Sequence, residues 1–281
     1  MRAHAFESAA PDGGHLRLAY AEWGEADNPC VVLCLHGLTR NGRDFDDLAR
    51  ALAAEYRVIC PDVVGRGASY WLAEPSDYGY PIYIAHVLAL LRHLGVTRVD
   101  LIGTSMGGLI GMLLAAAEAG PIARLVLNDI GPFVPKAALE RIAEYVGADP
   151  RFDDLDDLER YLRRVYAGFG PLDDDHWRHL AQHGARALAD GGYGLAHDPA
   201  IGQAFTADLL DDVDLWDIWD RVACPTLVLR GALSDVLLPE TAAEMAVRGP
   251  RARVVEIAGV GHAPALMDPE QIGLIRDFLA E

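Results

Sequence analysis

Cysteine is scarce in this chain and lysine almost missing. The four cysteines, Cys30, Cys34, Cys60 and Cys224, lie in apolar stretches. They lack the paired spacing of a metal site or a disulfide framework and read as small buried residues. Lys136 is the single lysine, and arginine carries the rest of the positive charge. Acidic residues outnumber basic ones, 42 to 24, for a formal net charge of −18. That sign argues against nucleic acid and against anionic membrane surfaces as partners. Long hydrophobic runs are missing too. The longest, LIGMLLAAA, is too short to cross a bilayer. The opening MRAHAFESAAPDGGH has no apolar run of the secretory kind. A cytoplasmic protein is the expectation. Neither an internal repeat nor a low-complexity tail is visible.

Some motifs are present only in part. DVVGRGAS, residues 62–69, contains G-x-G without the third glycine or the lysine of a phosphate loop. DDLDD and DDD lack the glycine and the spacing of a calcium loop. His176, His179 and His183 share a helical face with no carboxylate partner evident, so no metal is expected.

Fully 51% of the residues are hydrophobic, enough for a packed core. HLRLAYAEW alternates like a half-buried strand after the turn signal PDGG. Short continuous apolar runs then alternate with helical patterns. CVVLCLHG, YRVICPD, RVDLIG and ARLVLND read as strands; DFDDLARALAA, IYIAHVLALLRHLG and MGGLIGMLLAAAEAG read as helices. Such alternation predicts a parallel sheet covered on both faces. It stops near Gly131-Pro132. Up to about Asp214 three helical patterns follow and no convincing strand: PKAALERIAEYVG, DDLDDLERYLRRVYAGFG and DDDHWRHLAQHGARALA. The strand–helix rhythm then resumes to the end. The expected architecture is α/β, with a core of residues 1–131 and 215–281 and a helical cap inserted over 132–214.

IGTSMGG, residues 102–108, surrounds one serine with three glycines where a strand turns directly into a helix. A turn that tight holds Ser105 in a strained conformation with its hydroxyl exposed above the sheet. Side chains at Gly103 and Gly107 would collide, and Gly108 lets the helix pack close. The helix N-terminus aims free N–H groups at the site. A serine hydroxyl needs a base to become a nucleophile. His262, flanked by Gly259 and Gly261, lies in the loop after the last predicted strand, where an α/β sheet carries its site. Asp235 lies in the loop after the preceding strand. The order Ser105, Asp235, His262 is the one expected when an elbow serine recruits acid and base from later loops. Asp129, which ends LVLND, is a rival for the acid, but the loop of Asp235 neighbours that of His262. Acyl transfer also needs oxyanion donors. The Met106 N–H, directly after the serine, and the Leu38 N–H in LHGLTRNG are the candidates. Gly37 lets the backbone approach the substrate, and His36 reads as a structural holder of that loop. Trp71 and the aromatics of the insertion suggest an apolar pocket.

Together these residues resemble the α/β-hydrolase superfamily over nearly the whole chain. The matching positions are His36-Gly37; Asp62 with Gly65-Arg66-Gly67 and Ser69; Gly103-Thr104-Ser105-Met106-Gly107-Gly108; Gly231 with Asp235; and Gly261-His262. The resemblance implies an eight-stranded, mostly parallel sheet, a helical cap after the sixth strand and a Ser–Asp–His triad. A serine nucleophile disfavours haloalkane dehalogenases and epoxide hydrolases, whose relatives carry aspartate there. The expected activity is hydrolysis of small to medium apolar carboxylic esters through an acyl-enzyme. The substrate is then a small molecule, and no cofactor is needed. Activity should fall at acid pH, where the base is protonated. Alternatives are a lactonase, a carbon–carbon bond hydrolase using Arg160, Arg163 or Arg164 to hold a carboxylate, and a ligand-binding protein on the same frame.

Overall fold

The computed structural model describes residues 1–206, 208 and 210–281. Two strands, β1 (Arg2–Ala9) and β2 (His15–Trp23), open it as an antiparallel hairpin. The alternating half follows: β3 (Val31–Leu35), α1 (Asp46–Leu52), β4 (Arg57–Pro61), α2 (Tyr80–Leu94), β5 (Val99–Thr104), α3 (Met106–Ala115) and β6 (Ile122–Asn128). The segment 132–214 then carries β7 (Phe133–Val134), α4 (Lys136–Val146), α5 (Leu155–Val165), α6 (Asp174–Gly184), β8 (Ala185–Ala187), β9 (Tyr193–Leu195) and β10 (Val213–Asp214). The chain closes with α7 (Trp216–Trp219), β11 (Thr226–Gly231), α8 (Pro239–Met245), β12 (Arg253–Ile257) and α9 (Pro269–Leu279).

Eight strands form one sheet in the order β1-β2-β4-β3-β5-β6-β11-β12. β2 meets β4 antiparallel, and every later pairing is parallel. Strand alternation sends successive side chains to opposite faces, and here both faces are covered. Leu33, Leu35, Leu101, Leu127 and Val228 pack toward α2 and α3. Val32, Cys34, Ile102, Leu227 and Leu229 pack toward α1 and α9. That is why these strands read as continuous apolar runs and not as alternating ones.

None of the described residues of 132–214 joins this sheet. The three predicted helices are present, but short ladders accompany them. β7 pairs with β10, drawing the two ends of the insertion together, and β8 pairs with β9. Ladders of two or three residues carry no periodicity, so the sequence gives no sign of them. The insertion has its own core of Phe152, Leu158, Leu162, Trp177 and Leu180. It also touches the sheet domain at the site edge: the Gly261 N–H donates to the Gly168 carbonyl at 2.7 Å.

Candidate active site

The C-terminal ends of β3, β5, β6, β11 and β12 converge on one edge of the sheet. Between β5 and α3 a single residue, Ser105, makes the whole turn with φ 51° and ψ −115°. For a non-glycine residue this is strained backbone. The glycines around it are required by contact. A Cβ on Gly103 would stand 2.5 Å from the Gly107 carbonyl carbon. One on Gly107 would stand 2.0 Å from the Leu35 carbonyl oxygen, and one on Gly108 would stand 2.4 Å from Ile130 Cγ2. The strand, the elbow and the helix can approach this closely only without those side chains.

His262 Nε2 lies 2.9 Å from Ser105 Oγ, and His262 Nδ1 lies 2.7 Å from Asp129 Oδ2. An ionised carboxylate only accepts, so Nδ1 carries the proton. Nε2 is then free to accept from the serine hydroxyl. Asp129 is fully buried, whereas Ser105 is half-buried and open to the cavity. Three donors replace the water Asp129 has lost: the Gly231 N–H to Oδ1 at 2.7 Å, the Ser234 hydroxyl to Oδ2 at 2.5 Å, and His262. Asn128 ties the same ends together, donating through Nδ2 to Thr104 Oγ1 at 3.0 Å and to the Pro264 carbonyl at 2.8 Å.

The expected acid, Asp235, is not part of this chain of contacts. Its carboxylate is half-exposed and receives Arg141 of α4, Nε to Oδ2 at 2.5 Å and Nη2 to Oδ1 at 2.9 Å. The reason is geometric. Asp129 follows β6, which lies beside β11, and its left-handed backbone (φ 56°) turns the side chain in beneath His262. The loop after β11 turns Ser234 inward instead, and the next residue, Asp235, faces the insertion. Both acids follow a strand, so strand-end position alone could not separate them.

Trp71 also departs from expectation. It lies under the Arg186 guanidinium, 4.8 Å from ring centroid to Cζ, and does not line the cavity beside Ser105. Gly37 does line it. His36 is fully buried and holds its loop from both ring nitrogens: Nδ1 donates to the Gly37 carbonyl at 2.7 Å, and Nε2 accepts from the Val63 N–H at 2.9 Å. Burial pushes it from 6.5 to about 4, so it stays neutral. The Gly37 carbonyl also accepts from the Arg40 N–H at 3.2 Å. In a trans peptide the N–H points opposite to its carbonyl. Pinning that oxygen therefore fixes where the Leu38 N–H points. Among the described residues, neither the Leu38 nor the Met106 N–H donates to a protein acceptor.

The cavity measures about 740 Å³ and runs between the sheet edge and the insertion. Of the insertion aromatics, Tyr145, Tyr166, Phe169 and Phe205 line it; Phe152 and Trp177 are buried in the insertion's own core. The arginines at 160, 163 and 164 do not line it. Arg160 pairs with Asp157, Arg163 with Glu159 and Asp174, and Arg164 stacks on Tyr161.

Outside this cavity, His179 and His183 meet Asp46, with ligand atoms all within 4.8 Å of one another. His176 faces Asp47 and Asp173 instead. The Asp46 carboxylate is taken by Arg43, whose Nη1 also lies 3.4 Å from His183 Nδ1. A guanidinium already fills the place of a cation there. His179 Nε2 donates to the Arg43 carbonyl at 2.9 Å, so the cluster joins α6 to the sheet domain.

Comparison with known proteins agrees with this fold. A model of the alpha/beta hydrolase family matches residues 32–272. The 3-hydroxybutyrate-oligomer hydrolase of Cupriavidus necator is 44% identical over 277 residues, covering 96% of this chain and 94% of its own. The 2-(acetamidomethylene)succinate hydrolase of Mesorhizobium japonicum is 27% identical, covering 94% of this chain and 92% of its own. A solved alpha/beta hydrolase from Novosphingobium aromaticivorans superposes with a TM-score of 0.88 at 40% identity, covering 99% of this chain and 98% of its own. No helix of the described residues is long and apolar enough to span a membrane. The chain belongs to the α/β-hydrolase family.

Proposed function

We propose that this chain is a serine hydrolase of carboxylic esters, and that its substrates are short oligoesters of 3-hydroxy acids. The observation that carries the reading is the unbroken contact from Ser105 through His262 to Asp129 at the mouth of a largely apolar cavity. The oligoester class comes from the 3-hydroxybutyrate-oligomer hydrolase to which the chain is similar over nearly its full length. Hydroxy acids joined head to tail are linked by esters, and an apolar cavity of about 740 Å³ suits short pieces of such a chain.

In the proposed reaction Ser105 Oγ attacks the ester carbonyl as its proton passes to His262 Nε2. Buried Asp129 stabilises the imidazolium formed. The Leu38 and Met106 N–H groups receive the oxyanion. Collapse of the tetrahedral adduct breaks the ester C–O bond, and the alkoxide leaves with the proton from His262. Water then gives a proton to the same nitrogen and attacks the acyl carbon, releasing the acid and restoring Ser105. The insertion acts as a cap, with Tyr145, Tyr166, Phe169 and Phe205 setting the acyl and alcohol lengths accepted.

The carbon–carbon hydrolase reading draws less support, since Arg160, Arg163 and Arg164 are engaged away from the cavity. The test is turnover of p-nitrophenyl esters from acetate to dodecanoate and of 3-hydroxybutyrate dimer and trimer, with Ser105→Ala beside the wild type. Loss of all turnover in Ser105→Ala is the expected result. Lactone or diketone cleavage without ester turnover, or tight ligand binding without any turnover, would replace it.

A further inference from the structure

Arg66 is fully buried, yet among the described residues its guanidinium has no acidic partner. Among the described residues its hydrogen bonds go to neutral acceptors: Nε to the Leu38 carbonyl at 2.9 Å, Nη1 to the Val64 carbonyl at 2.8 Å, and Nη2 to Met106 Sδ at 3.6 Å. The rings of Tyr83 and Tyr78 cover it, with Cζ 4.9 Å and 5.7 Å from their centroids. Both tyrosines line the cavity, and Arg66 itself does not. A buried arginine is ordinarily paired with a carboxylate, because its desolvated charge is otherwise costly. The carboxylate of Asp198, next to the stacked Tyr78, accepts from the Tyr78 hydroxyl at 2.6 Å and forms no ion pair with Arg66.

Two of the three contacts have a common meaning. Leu38 and Met106 are the residues whose N–H groups would receive the oxyanion, and Arg66 touches both. The neighbouring histidines already feel its charge: after burial, Arg66 is the next cause holding His197 at about 4. In a dry site, a fixed cation close to where negative charge develops acts without solvent rearrangement.

We propose that Arg66 is a positioning residue for the oxyanion hole: its unpaired charge orients the Leu38 and Met106 loops and supplies a field that favours the tetrahedral adduct over the bound ester. This rests on the serine-hydrolase reading. A residue that merely tied loops together could do so with neutral donors and would not need a buried charge.

The test compares Arg66→Gln, which keeps donors and loses charge, with Arg66→Lys, which keeps charge and loses the fork. Each is melted first. Next, kcat and KM are measured on p-nitrophenyl butyrate, together with inhibition by butylboronic acid, which forms an anionic tetrahedral adduct with a nucleophilic serine. The expected result for Arg66→Gln is a roughly tenfold to hundredfold loss in kcat, an equal loss in boronate affinity and a KM changed by less than about threefold. Arg66→Lys should lose less of both. A folded Arg66→Gln with kcat and boronate affinity near wild type would overturn the proposal. So would a kcat loss without a boronate loss, or failure of both variants to fold, which would make Arg66 a fold determinant. Ser105→Ala run alongside separates the two readings. Turnover surviving that change would overturn the serine mechanism itself, whatever the Arg66 variants do.

Discussion

Ser234 gives its one hydroxyl proton to Asp129 Oδ2 across 2.5 Å, while its oxygen lies 3.2 Å from the backbone N–H groups of both Val236 and Leu237. With two donors on its lone pairs, the hydroxyl has a single direction left for its proton. Asp129 is thereby fixed in the orientation His262 requires. Ser234→Ala should leave KM near wild type and lower kcat by about tenfold to hundredfold, the value of one hydrogen bond to a buried charge. Steady-state kinetics on one p-nitrophenyl ester checks this. A kcat within twofold of wild type would remove Ser234 from the site.

The elbow glycines give a contrast in stability. Gly107→Ala would drive a methyl to 2.0 Å from the Leu35 carbonyl, between two backbone segments that have no room to part. It should prevent folding or lower the melting temperature severely. Gly273 lies inside α9 with nothing within 4 Å of its would-be Cβ. Gly273→Ala should raise stability by about 0.5–1 kcal/mol through helix propensity alone. Thermal melts of the two variants beside wild type read both effects.

Acid should destabilise the fold. Burial lowers His36, His183 and His197 from 6.5 to about 4. Between those values the unfolded chain binds protons that the folded chain refuses. Their stabilising contribution is therefore complete above about 6.5 and is lost as pH falls toward 4. Asp62 acts the other way: burial raises its carboxyl from 3.8 to about 6, so its contribution grows as pH falls through that range. His86 is lowered by burial as well and Asp100 raised, so four histidines stand against two carboxyls and leave a net loss. Urea unfolding at pH 7, 6 and 5 should show falling stability. His197→Gln should remove its share of the histidine part of the slope. A flat or rising profile would contradict the burial of these rings.

Much of the frame was legible because its cause is local. Val32, Val58, Ile102 and Leu229 make continuous apolar runs since both sheet faces are covered, and Ser105 with its glycines encodes a turn that few sequences permit. The carboxylate that meets His262 was not legible. Asp129 and Asp235 both stand just past strands, and what separates them is the left-handed backbone at Asp129 and the partner waiting for Asp235 on α4. Both depend on tertiary contact. Trp71 failed for a like reason: an aromatic near a site loop says nothing of which way the ring turns, and Arg186 of the insertion takes it. Arg66 was visible only as one position of a loop motif, since its missing carboxylate is a fact of three dimensions.

Arg141 and Asp235 form a half-exposed pair between α4 and the loop after β11. Such pairs contribute little, about 0–1 kcal/mol. Arg141→Gln should shift the melting temperature by no more than a few degrees. A collapse of the fold on that change would show the insertion to be held far more by this pair than its exposure allows.

In the proposed reaction Asp129, and not Asp235, orients His262 against Ser105. The most direct measurement is kcat/KM of Asp129→Asn and Asp235→Asn on the same ester, with both proteins shown to be folded. Asp129→Asn should lose about 10⁴-fold, because an amide presents the wrong partner to Nδ1 and the imidazole is left in the wrong tautomer. Asp235→Asn should stay within a few-fold of wild type. Near-normal turnover in Asp129→Asn, with activity abolished in Asp235→Asn, would contradict it.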